Sequence, residues 1–104
     1  DKSTYDITLD LLNAGMTIPQ IAHERGLTEG TIQTHLAKAV DAGRISIFRF
    51  MTEDRVEQIV QAMEDMPVEF SSKELFDKLE GKFSYGELRA AMVYAGKRSI
   101  RKIE

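Results

Sequence analysis

The chain predicts an all-α fold: six helices forming a tandem of two three-helix units that share one core, residues 1–50 as the first unit and 51–104 as the second. Three observations carry this. Apolar residues recur at helical spacing through most of the chain. Ser or Thr stands ahead of each stripe, in several cases with Gln or Glu three residues on. Gly closes every stripe but the fourth, and no alternating run returns through a hairpin turn.

Ser3 or Thr4 caps a first helix with Tyr5, Ile7, Leu9, Leu11 and Leu12 as its apolar positions, ending at Gly15. Thr17 caps the second, with Gln20 as capping-box partner and Pro19 in the first turn, where its missing N–H costs nothing. Ile18, Ile21 and Ala22 form its apolar side, Gly26 stops it through φ > 0, and Leu27 is expected to plug the corner. Thr28 caps the third helix, which buries Ile32, Leu36, Ala39 and Val40 and ends at Gly43. The stretch Thr17–Gly43 therefore reads as a helix-turn-helix. The opposite face of its last helix is expected to present Glu29, Gly30, Gln33, Thr34, Ala37, Lys38 and Asp41 to solvent.

Arg44–Phe50 alternates at Ile45 and Ile47, but no turn and return strand follow, so a winged helix is not expected. The segment reads as a connector whose Ile47, Phe48 and Phe50 pack in the core or between units. Thr52 caps a fourth helix with Val56, Ile59, Val60 and Met63 at i, i+3, i+4 and i+7, closed by Met66-Pro67. Ser71 with Glu74 opens a fifth through Leu75, Phe76 and Leu79, stopped at Gly81. Ser84 with Glu87 opens a sixth with Leu88, Ala91, Met92 and Ala95, where Gly96 is the expected stop. The second unit lines up with the first: Ser71 on Thr17, Gly81 on Gly26, Ser84 on Thr28, Leu88 on Ile32, Met92 on Leu36 and Gly96 on Gly43. The drifting offset implies a longer turn and a shorter last helix in the second copy.

Composition excludes several classes. There is no Cys, hence no disulfide and no thiolate metal site, which is compatible with a reducing cytoplasm. No apolar run is long enough to span a bilayer. Beginning at Asp1, the chain is expected to be a piece of something longer. The net charge of −3 is unusual for a free-standing DNA binder. Residues 51–82 are strongly acidic, whereas Arg89, Lys97, Arg98, Arg101 and Lys102 make the end basic. Any nucleic-acid contact should therefore use the third helix and the C-terminal end.

Thr28, Thr31, Gln33, Thr34 and Lys38 are the candidate groove-facing residues; Gln suits adenine, and Lys suits phosphate or guanine. Arg25 and Arg44 flank that helix, and Arg98, Arg101 and Lys102 complete the candidate nucleic-acid-binding set. Against this stand plain alternatives: a solvated helix face, capping by Thr28, and surface ion pairs worth under about 1 kcal/mol each. His23 and His35 have neither a His at i±4 nor a thiol nearby, so no metal, cofactor or small-molecule substrate is expected. The paired carboxylates Glu53/Asp54, Glu64/Asp65 and Glu74/Asp77 sit on polar helix faces, so no catalysis is expected. Most aromatic residues fall in the core, and Tyr85, just after the Ser84 cap, is the candidate exception for a partner contact.

The chain resembles the helix-turn-helix domain at the C-terminal end of some bacterial helicases, including RecQ-type proteins. The resemblance rests on Thr8–Leu12, Ile21–Thr28, Thr31–Leu36, Ile45–Ile47 and Phe83–Arg89, the last read as Phe-Ser-Tyr-Gly-Glu-Leu-Arg. It implies a non-catalytic accessory module that contacts duplex or forked DNA with modest affinity and works beside ATP-driven motor domains of the same polypeptide, in the bacterial cytoplasm at the nucleoid. No Gly-Lys-Ser or Gly-Lys-Thr of a P-loop occurs here. The alternatives are a protein-interaction module of the same parent and a DNA-binding transcription regulator, the latter disfavoured by the missing wing.

Overall fold

A computed structural model describes the backbone of residues 2–103 and the side chains of residues 2–96. Six α-helices follow one another: α1 Thr4–Asn13, α2 Ile18–Arg25, α3 Glu29–Asp41, α4 Glu53–Glu64, α5 Ser72–Lys78 and α6 Tyr85–Ile103. A 3₁₀ turn, Ile47–Arg49, joins the two sets of three, and there is no strand among the described residues. No helix is long and apolar enough to cross a membrane among the described residues.

Every helix starts on a hydroxyl. Ser3, Thr17, Thr28, Thr52 and Ser71 each accept a hydrogen bond from the backbone N–H three residues on, and Ser84 does so from Glu87. The capping boxes of Thr17/Gln20, Ser71/Glu74 and Ser84/Glu87 are closed in both directions. Gly26 takes φ 65° and ends α2. The Leu27 N–H then bonds the Ala22 carbonyl at 3.0 Å, completing a Schellman-type end. Leu27 contributes through its backbone alone: its side chain stays at the surface instead of filling the corner.

α3 lies at the centre. Its Ile32, Leu36 and Ala39 join Leu9, Leu12, Ile21 and Ala22 in one lobe of the core. Its Ala37 and Val40 join Ile47, Val56, Ile59, Leu75 and Leu88, among others, in the second lobe. Ile45 and Phe50 of the connector touch both lobes. The most extensive helix–helix contact joins α3 to α6. Ala37, expected on the solvent face, is 1% exposed because α6 covers that side.

Two expectations about the last helix are corrected. Gly96 does not stop α6, which runs 19 residues against 13 in α3. Glycine ends a helix by going to φ > 0; Gly96 is not among the glycines that do so. In a helical conformation it only weakens the helix, by about 1 kcal/mol relative to Ala. The turn before α6 is instead made by Glu80 and Gly81, both at positive φ.

Candidate nucleic-acid interface

The starts of α3 and α6 lie side by side. What permits this is Gly86: a Cβ there would stand 2.7 Å from the Gln33 Cβ and 2.9 Å from the Thr34 backbone nitrogen. Across the contact the Ser84 hydroxyl donates to the Gln33 side-chain oxygen at 2.5 Å. Between the two helix starts runs an open groove of about 570 Å³. Thr28, Thr31, Thr34 and Ser84 line it, together with the aromatic residues Tyr5, His35, Phe76 and Tyr85. Tyr85 lies parallel on Phe76, with ring centres 4.6 Å apart and planes 9° apart, yet is 42% exposed.

The predicted site residues fall into three groups. Thr28, Thr31 and Thr34 reach the groove. The Thr28 and Thr31 hydroxyls are 2.9 Å apart and hydrogen-bonded, and Thr34 donates to the Gly30 carbonyl at 3.0 Å. Lys38 is exposed, its ammonium 4.8 Å from the centre of the Tyr5 ring. Gln33 is half-buried against α6 through Ser84, so it does not stand free on α3.

The flanking arginines are held by α1. Arg25 donates to the Thr4 carbonyl at 2.7 Å, to the Thr4 hydroxyl at 2.8 Å and to the Thr8 hydroxyl at 2.5 Å. Arg44 pairs with Asp6 at 2.6 Å, which holds the Asp6 carboxyl below its usual range. Arg98, Arg101 and Lys102 lie outside the residues whose side chains are described.

His35 is the residue that periodicity undervalued. It is 8% exposed, with its ring edge-on to Tyr5 at 5.0 Å. Its Nδ1 is 2.8 Å from the Thr8 hydroxyl oxygen. Arg25 can only donate, so it takes one of the two acceptor positions on the Thr8 hydroxyl, and the Thr8–His35 contact runs in the direction that the His35 tautomer sets. Burial, and then the cations Arg25 and Lys38, push its pKa below the ordinary 6.5. No buried side-chain nitrogen or oxygen lacks a partner among the described residues, so Nε2 must be reached by solvent, and the groove is the surface that His35 lines. Gly86, in the first turn of α6, was the sequence signal for a close backbone approach here.

A family described as a helix-turn-helix domain matches residues 4–92, from the start of α1 through α5 and into the first turns of α6. No curated protein and no solved structure matches the chain. The match covers well over half of the sequence and agrees with the capped, glycine-ended helix pair that leads into α3, so the chain belongs to the helix-turn-helix domain family.

Proposed function

We propose that this domain is a non-catalytic nucleic-acid-binding module, accessory to a larger DNA-processing protein and placed at the C-terminal end of a bacterial DNA helicase. The observation that carries the nucleic-acid reading is the helix-turn-helix itself, with the first turn of α3 left open at Thr28, Glu29 and Gly30. The helicase context is supported by the likeness of the Phe83–Arg89 segment and its neighbours to such domains. In that context the module sits beside motor domains of its own polypeptide, in the cytoplasm at the nucleoid. We read residues 1–104 as one domain of two related units, 1–50 and 51–104. In support, Thr28 and Ser84 cap matching helices, and Ile45 and Phe50 touch both lobes of the core.

The test is a titration of labelled single-stranded, forked and duplex DNA at low and moderate salt. Binding of at least one form is expected within the micromolar range of non-specific affinities, weakening log-linearly as salt rises. No binding of any form up to about 100 μM protein would overturn the reading. A protein-interaction role is the second reading. It is favoured by the acidic stretch 51–82 and by an apolar hollow that includes Leu12, Met16, Ile18, Pro19 and Phe50. It would take precedence if the parent's motor domains bound the isolated domain while DNA did not.

A further inference from the structure

We propose that the groove between the starts of α3 and α6 takes one unpaired nucleobase of a single-stranded nucleic acid, stacked on Tyr85. This rests on the nucleic-acid reading above and narrows it to a site and a substrate class.

Folding accounts for most of the Ser84–Arg89 segment. Ser84 caps α6, Gly86 allows the helix crossing, Glu87 closes the capping box and pairs with Arg55, and Leu88 is fully buried. Two residues are left over. Tyr85 is an aromatic ring 42% exposed, and Arg89, one helical turn further, is exposed as well. They share one side of α6. Tyr85 is held flat by Phe76 beneath it, so its orientation is set before any ligand arrives. A fixed aromatic ring beside a cation is the usual platform for an unpaired base and its phosphate.

The groove supplies the remaining chemistry. Its volume of about 570 Å³ lies in the range of small-ligand clefts, roughly 300–1,000 Å³. His35, on a ring nine-tenths buried, offers Nε2 to a base edge as donor or acceptor according to its tautomer, and the Thr31 hydroxyl adds a partner able to do either, whereas the Ser84 hydroxyl is already engaged by Gln33 and the Glu87 N–H. Lys38 stands over Tyr5, one of the residues that line the groove. Duplex DNA fits less well. A helix that reads the major groove needs a free face, and α6 covers Gln33 and Ala37 of α3.

The experiment compares a labelled oligothymidylate with a closed dumbbell duplex of equal phosphate number, using this chain and its Tyr85→Leu and Tyr85→Phe variants. Thermal melts first establish that both variants fold. Wild type is expected to prefer the oligothymidylate. Tyr85→Leu should weaken it about 5- to 150-fold, the loss of one base stack, and leave the duplex unchanged. Tyr85→Phe keeps the ring and should stay within about 2-fold of wild type. Duplex binding with no response of the oligothymidylate to Tyr85→Leu overturns the site while the nucleic-acid function stands. A folded Tyr85→Phe variant that loses binding as fully as Tyr85→Leu overturns stacking. Failure of wild type to bind either DNA overturns both readings together.

Discussion

Gly86 and Gly96 lie on the same helix, and replacing them by alanine should have opposite effects. An alanine methyl at 86 would meet the Gln33 Cβ and the α3 backbone within 3 Å. Backbone cannot step aside, so the helices must part; Gly86→Ala should cost about 1–3 kcal/mol, as overpacking does. Nothing lies within 4 Å of a Cβ at Gly96. Gly96→Ala should therefore stabilise by about 0.4–1 kcal/mol through helix propensity and a less flexible unfolded chain. Thermal melts of the two variants check this, and a shift of the same sign in both would refute the close crossing. His35 yields the second prediction at this scale. Its folded-state pKa is lowered, so the unfolded chain takes up a proton first as pH falls. The stability it contributes is fully present above 6.5 and is lost as pH falls from there towards the folded value. Thr8, Arg25, Lys38 and Tyr5 surround the ring, and among the described residues no carboxylate is one of its partners. The melting temperature should drop as the pH is lowered below 6.5, and His35→Gln should flatten that slope. A wild-type curve already flat there would show that the ring is not held neutral.

At the scale of elements, six Ser or Thr caps set six helix starts, because an unpaired N–H at each start is satisfied from a local side chain. Two capping boxes that look alike in sequence are not equal in the structure. Glu74 serves the Ser71 N–H alone at 3.0 Å. Glu87 serves the Ser84 N–H and also holds Arg55 through both oxygens at 3.0 and 2.9 Å, with Arg55 lying over Phe83. Glu87→Ala should thus cost about 1–3 kcal/mol, discounted for the partly exposed Arg55, against about 0.5–1 kcal/mol for Glu74→Ala. Denaturation midpoints of the two variants measure the difference. Equal losses would mean that tying α4 to α6 through Arg55 adds nothing.

For the whole molecule, charge limits how any nucleic acid is held. The chain is acidic, Arg25 and Arg44 are bound to α1, Lys38 stands over Tyr5, Arg89 follows Tyr85 by one helical turn, and Lys73, which interacts with Tyr85, is paired with Asp77. Contacts of this kind neutralise few phosphates, so log K against log salt for a single strand should slope no steeper than about −2. A slope near −4 or beyond would move the binding surface away from the groove, to the basic residues Arg98, Arg101 and Lys102. Stacking on Tyr85 is insensitive to salt and should persist where phosphate contacts have faded.

Helix count, caps and the glycine-ended turn after α2 were legible in the sequence, because each depends on residues within one turn of one another. So were Ile32, Leu36 and Val40 as core, since a 3.6-residue period marks a buried stripe. Periodicity could not tell that α3 is buried on a second side, and so Ala37 and Gln33 were read as solvent-facing. Nor could it tell that Gly96 would continue a helix, since a glycine acts through the φ it adopts and not through its presence. The groove is made by residues 28–35 and 84–86 together with Tyr5 and Phe76, groups far apart along the chain. Sequence alone determined the helices and the class of the domain; packing of α6 on α3 decided which of their side chains remain free to meet a partner, because that contact joins residues about fifty positions apart that no local pattern connects.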